Sequence, residues 1–231
     1  MKMKREQREP FIARGLRKER IESLHDGIYA VAMTLLVLDI HVPHGVQSFG
    51  EFLRALHGEL PEFGAAAIAF SVVGLMWLNN YYRSAMIARV DFTHLALTLA
   101  AAGMVVLVPF STRVLAEYWE FPWGIALFSW NICLAILLYV CAAHHYVRFL
   151  IPKEVDRQFL AQNLKMMWAY AVLSGLIVPA LAFLNPVAAV VLIPFMAFLN
   201  VIVMLRMQSR FIAAHRLSVL HAEDDLRSPS G

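Results

Sequence analysis

The chain has 231 residues, 60% hydrophobic and 16% charged, with a formal net charge of +3. The apolar residues fall in long runs, which excludes a water-soluble domain and is the pattern of a polytopic membrane protein. Two cysteines, Cys133 and Cys141, share one apolar run and provide neither a disulfide framework nor metal-ligand spacing. In chain order, residues 1–20 form a basic segment with Lys2, Lys4, Arg5, Arg8, Arg14, Arg17, Lys18 and Arg20. Such a segment suits an anionic lipid surface better than nucleic acid, because an apolar run follows at once. No cleavable signal is expected here: Asp26 and Asp39 bracket that run, and no small-residue cleavage site comes after it.

The stretch from Arg20 to Asp39, RIESLHDGIYAVAMTLLVLD, predicts helix 1 over 21–42. Only Gly27 to Leu38 is free of charge, short of the roughly 20 apolar residues of a full span. Arg20, Glu22, His25 and Asp26 therefore belong near the membrane edge, and Asp26 needs partners. A carboxylate at a helix centre costs about 2.5–3.5 kcal/mol on insertion scales. At about 100° per residue, Val31, Thr34, Leu35 and Leu38 share an arc of about 100°, and Asp26 lies off it.

Further along, the segment HVPHGVQSFGEFLRALHGELPE carries Phe49, Phe52, Leu53 and Leu56 at helical spacing and predicts a short amphipathic surface helix. Helix 2 is expected over 62–83, helix 3 over 91–113, helix 4 over 121–148 and helix 5 over 160–184. Helix 6 follows over 186–215, after a tight Asn185-Pro186 turn that suits a helix start. The six-helix membrane domain thus covers 21–215, and 216–231 is a polar tail. Basic residues sort by side. The N-terminus, the 2–3 and 4–5 loops and the C-terminus collect eighteen, with Arg83 and Arg89 assigned to the 2–3 loop, and only Arg54 and Arg113 fall opposite. That bias puts both termini in the cytosol, in agreement with an even number of spans.

Most candidate clusters have plain readings. His144 and His145 are adjacent, so they point about 100° apart and cannot readily share a metal. His41 and His44 sit at the outer end of helix 1 and could bind a surface metal or sense pH, but histidines at such ends usually do neither. No nucleophile motif, phosphate loop or paired catalytic carboxylate occurs, so an enzyme reading has no support, and no cofactor or metal is expected.

One resemblance changes the weight given to the helix 1 stripe. Arg20, then Leu24-His25-Asp26-Gly27 and the apolar run after it, resembles the signature of the transmembrane protein 175 family of potassium channels, an arginine followed by Phe-Ser-Asp and a small residue. Phe70-Ser71 with Trp77 and Asn79 resembles the family's second helix, and Pro109-Phe110-Ser111-Thr112 the end of its third. Two positions depart: Leu24-His25 stands where the family has Phe-Ser, and Asn80 where it has histidine. Two readings stay open: the imidazole has moved from helix 2 to helix 1, or His25 is an interfacial histidine with no special role.

The resemblance implies an all-α channel of six transmembrane helices per protomer, with helix 1 lining the central pore of a homotetramer in the cytoplasmic membrane. Val31 then takes the place of the family's isoleucine constriction, Leu35 and Leu38 those of further apolar layers, and Thr34 that of a hydroxyl ring linked to potassium preference. Arg20, His25, Asp26, Trp77 and Asn80 form the expected polar network clamping helices 1 and 2. Without the resemblance, the same stripe is ordinary packing. No Thr-Val-Gly-Tyr-Gly segment is present, so a backbone-carbonyl filter is not expected. Two other classes stay open at this point: a proton-coupled secondary transporter using Asp26 and His25 as a relay, and a non-transporting membrane scaffold.

Overall fold

The computed structural model describes residues 18–199 except 39, 42–43, 88–89 and 151–156, together with 202 and 206. Most of the expected basic segment, the polar tail and the far end of predicted helix 6 lie outside the described residues. Every regular element described is helical: α1 (Lys18–Leu35), α2 (Phe49–Gly58), α3 (Leu60–Met86), α4 (Phe92–Val106), α5 (Val108–Glu117), α6 (Pro122–His145), α7 (Arg157–Val172) and α8 (Val178–Leu184). A further apolar helix, α9, covers Pro186–Leu199. Among the described residues, four helical stretches are long and apolar enough to cross a membrane: Leu60–Ser84, Phe92–Glu117, Pro122–Leu150 and Leu164–Leu184.

α6 is the central post. It packs against α4, α5, α7 and α8, and α1 packs on α3 and α4. Its buried set includes Ile125, Phe128, Ile132, Ile136, Tyr139 and Val140, which meets neighbours on several sides and suits a helix that is apolar all round. Small residues let the helices approach closely. Ala65, Ala69, Ala101, Ala102, Ala135 and Ala182 are all buried, as expected where packing rather than water expulsion holds helices together.

The structure shifts several predicted boundaries, each for a local reason. α1 ends at Leu35 rather than 42; beyond it, short bonds from Leu38 N–H to Leu35 O (3.1 Å) and Ile40 N–H to Val37 O (3.3 Å) tighten the chain into turns. Predicted helix 3 is broken into α4 and α5 at Leu107, whose N–H bonds Met104 O. Pro109 supplies no N–H there and disfavours a straight run. Predicted helix 5 contains a π turn at Leu173–Ile177. That turn receives the Trp130 indole, whose Nε1–H donates to Gly175 O at 3.0 Å. α3 starts at Leu60 and runs to Met86, past the predicted end at 83.

The amphipathic α2 forms where the spacing placed it, with Ser48 as its cap. The Ser48 hydroxyl accepts from Glu51 N–H at 3.2 Å, and the Glu51 carboxylate reaches back to Gln47 N–H at 2.9 Å. Phe49, Phe52, Leu53 and Leu56 stay exposed on it.

The corner between α5 and α6 depends on a missing side chain. A Cβ on Gly124 would lie 2.5 Å from the Tyr118 carbonyl oxygen, and backbone cannot swing aside as a flexible side chain can. Gly124→Ala is expected to lower stability by about 1–3 kcal/mol, measured by thermal unfolding of the purified protein. Gly64→Ala, with open space around its Cβ, is the matched control and should leave unfolding nearly unchanged.

Candidate functional site: the uncovered face of the first helix

Two sets of side chains divide α1 and the turn that follows it. His25, Tyr29, Ala32 and Leu36 recur at helical spacing and are buried against the bundle. Across the helix, Val31 is 57% exposed, Leu35 39% and Leu38 74%, and Thr34 is exposed with them. Val31 and Leu35 join Leu24, Gly27, Ile28 and Val106 in lining a shallow, almost wholly apolar groove. The stripe is thus not packed within its own protomer. The Thr34 hydroxyl donates its proton to Val31 O at 2.9 Å, so its oxygen turns only lone pairs outward, which suits a cation.

The inward set fixes how α1 stands. Tyr29, fully buried, donates its hydroxyl to the Tyr139 hydroxyl of α6 at 3.0 Å. His25, 3% exposed, has Nδ1 at 2.8 Å from Ile21 O and Nε2 at 3.1 Å from Thr98 O on α4. Both neighbours are carbonyl acceptors, so the ring satisfies both only when each nitrogen carries a proton. On the adjacent side of α1, Trp77 Nε1–H of α3 donates to Asp26 Oδ1 at 2.8 Å.

The expected five-residue network therefore resolves into separate contacts. Asp26 meets Trp77, and His25 meets α4 rather than Asp26. His25 and Asn80 line one small cavity without a hydrogen bond between them. Arg20 is exposed, and among the described residues neither it nor Asn80 has a side-chain bond to the other three. Because Asp26 and His25 reach different helices, no direct hydrogen bond links them as a proton relay.

The downstream motifs hold the break between α4 and α5. Ser111 and Thr112, both buried, donate to Val108 O at 3.0 and 2.8 Å, and Asn131 Nδ2–H of α6 donates to the Ser111 hydroxyl at 3.0 Å. Phe70 is exposed, Ser71 bonds Ala67 O and Asn79 bonds Leu75 O within α3.

His145 pairs with Asp91 at the start of α4. Its Nε2 lies 2.7 Å from Asp91 Oδ2, while Asp91 Oδ1 caps α4 by accepting His94 N–H at 2.8 Å. His144 is exposed. Among the described residues no group of His, Cys, Asp and Glu is arranged to hold a metal. Burial pushes the Asp91 carboxyl up, but the His94 N–H and the His145 ring more than reverse this, leaving it below the usual carboxylate range. A depressed carboxyl adds stability above its unfolded titration, and that stability is lost as pH falls through the folded one. The melting temperature of the native protein should therefore exceed that of Asp91→Asn at neutral pH, and the gap should close in acid. A gap independent of pH would contradict this assignment.

Sequence reasoning missed three participants. Arg83 was assigned to a loop but lies in the last turns of α3, over the Tyr139 ring at 5.1 Å. Tyr29 and Tyr139 carry no motif that marks them in the sequence. The only signal was that tyrosine buried in a membrane helix needs a partner for its hydroxyl.

A helical bundle with several membrane-length apolar stretches defines an integral membrane protein. Residues 20–109 match the family model described as endosomal/lysosomal potassium channel TMEM175. A Streptomyces collinus protein described as a potassium channel is 39% identical over 99 residues, 43% of this chain and 48% of that protein. A Chamaesiphon minutus protein of the same description is 35% identical over 104 residues, 45% of this chain and 51% of its own. Chicken TMEM175, described as an endosomal/lysosomal proton channel, is 36% identical over 78 residues, 31% of this chain and 16% of its own. In the bacterial matches the chain spans about half the length of each relative. The crystal structure of a lysosomal potassium-selective channel TMEM175 homolog from Chamaesiphon minutus superimposes with a TM-score of 0.72 at 25% identity, covering 82% of this chain and 97% of that one. Residues 20–109 are thus similar to the TMEM175 family, and the likeness of fold extends well beyond them.

Proposed function

We propose that the chain is the protomer of a potassium-permeable cation channel of the cytoplasmic membrane, with α1 from each of four copies facing a shared axis. The observation that carries this reading is the uncovered stripe of Val31, Thr34, Leu35 and Leu38, which lies inside the segment matching the family. A single stripe cannot enclose a path, so several copies are needed. The membrane topology is read as six crossings: α1, α3, α4 with α5, α6, α7 with α8, and α9. Both termini are then cytosolic.

In this arrangement a ring of aliphatic side chains narrows the path. A potassium ion passing it sheds most of its water, and in the absence of an ion the constriction dewets. The Thr34 oxygens, their protons already bonded to Val31 carbonyls, offset part of the dehydration. Thr34→Ala is expected to lower the potassium over sodium permeability ratio several-fold, measured as a reversal-potential shift under bi-ionic conditions. The His25, Asp26 and Tyr29 contacts hold α1 so that the stripe keeps its orientation.

Potassium flux into proteoliposomes, with and without a proton gradient, tests the reading. Passive flux in the absence of a gradient supports the channel. Flux only with the gradient would favour the proton-coupled transporter built on Asp26 and His25, and no flux would favour a scaffold. Proton uptake recorded alongside shows whether protons share the path.

A further inference from the structure

Among the described residues, Arg83 is a cation inside the protomer with no carboxylate beside it. It is partly buried and lies between two cavities. One, about 530 Å³ with its mouth included, is bounded by Val72, Leu75, Asn79, Arg83, Tyr139 and Tyr170 among others. The second, on the far side, also has Arg83 and Tyr139 in its wall. Among the described residues, the titratable groups facing the guanidinium are Tyr29, Tyr139 and His94, none of which carries negative charge at neutral pH. A guanidinium has five N–H donors. Nε–H goes to Asn79 O at 3.1 Å and one Nη1–H to the Met167 sulfur at 3.1 Å, a weak acceptor. Three donors remain without a protein acceptor among the described residues.

The hydroxyls nearby add to this surplus. Tyr139 spends its oxygen accepting from Tyr29, so its own proton is available. The Tyr170 hydroxyl, in the wall of the first cavity, has no acceptor among the described residues. Apart from the Asn79 amide, the polar lining consists of donors and holds a positive charge within otherwise apolar walls. A buried charge without a counter-charge is costly, and water filling the space would answer the donors but not the charge.

We propose that the cavity between α3, α6 and α7 binds a small monovalent anion, of halide or short-carboxylate size, on Arg83 and the Tyr139 and Tyr170 hydroxyls. A divalent anion would leave one charge unmatched there. The site lies beyond Tyr29 and Tyr139, on the bundle side of α1, so it is separate from the uncovered stripe and does not depend on the channel reading.

The test is thermal unfolding of the purified full chain in detergent at fixed ionic strength, with gluconate replaced stepwise by chloride. A ligand that binds only the folded state raises the melting temperature with its concentration. A saturable rise of a few degrees is expected, absent in Arg83→Met. Should Arg83→Met fail to fold, Tyr170→Phe, which removes one donor, should move the midpoint to about tenfold higher chloride. A flat curve for the native chain, or an unchanged midpoint in Tyr170→Phe, would overturn the proposal. A crystal structure with bromide in place of chloride is expected to show anomalous density on the Arg83 guanidinium, and water alone at that position would overturn it equally.

Discussion

Val31→Ala and Leu35→Ala should each raise passive potassium flux through reconstituted protein by on the order of tenfold. The argument is one of barrier height. A ring of aliphatic side chains opposes an ion by excluding its water, and lowering that barrier by about 1.4 kcal/mol multiplies the rate by about ten. In the proposed assembly each substitution acts once per copy around the axis, so a small change per subunit suffices. Stability of the protomer should barely move, because Val31 and Leu35 are 57% and 39% exposed within it and such positions usually shift unfolding by less than about 0.5 kcal/mol. Val31→Phe should act in the opposite sense and close the path. Flux unchanged in all three variants would remove Val31 and Leu35 from the constriction.

Tyr29→Ala is the substitution expected to cost most in stability. Tyr29 is fully buried, joins the shared core and hydrogen-bonds Tyr139 across to α6. Truncating a buried aromatic side chain typically costs about 3–5 kcal/mol, and here it would also strand the Tyr139 hydroxyl. Tyr29→Phe removes the hydroxyl alone and should cost about 0.5–1.5 kcal/mol. The pair separates packing from hydrogen bonding, and thermal unfolding with size-exclusion chromatography reads both. Comparable losses in the two variants would mean that the hydroxyl pair, rather than the ring, secures α1.

Periodicity in α1 carried real information. It separates Val31, Thr34, Leu35 and Leu38 from His25, Tyr29, Ala32 and Leu36, and the structure buries the second set alone. The amphipathic α2 was legible for the same reason, since apolar residues at helical spacing and a Ser-x-x-Glu start are local signals. Breaks were harder to see. The bend at Leu107 follows from Pro109, but the π turn at Leu173–Ile177 is fixed by Trp130 and Cys133 on another helix. Local sequence holds no trace of such a partner.

The polar residues were legible as types but not as pairs. His25, Asp26 and Trp77 were picked out together, yet only Asp26 and Trp77 bond, because one step along a helix turns a side chain by about 100° and sends His25 to α4. Arg83 shows the opposite failure. The run Asn79-Asn80-Tyr81-Tyr82-Arg83 dilutes the hydropathy and resembles the end of a span, so the arginine was counted with the loop. The helix continues to Met86 and carries Arg83 into the bundle, where the tyrosine face of α6 receives it.

In the proposed channel the uncovered face of α1 borders the ion path of the assembled protein. Thiol block tests it most directly: potassium flux through Val31→Cys, in a background with Cys133 and Cys141 replaced by serine, is measured before and after a charged methanethiosulfonate reagent. The account predicts that flux falls to the level of empty vesicles for Val31→Cys and is untouched for Val191→Cys, an exposed position on α9. Flux that survives the reagent in Val31→Cys, with the thiol shown to have reacted, would contradict it.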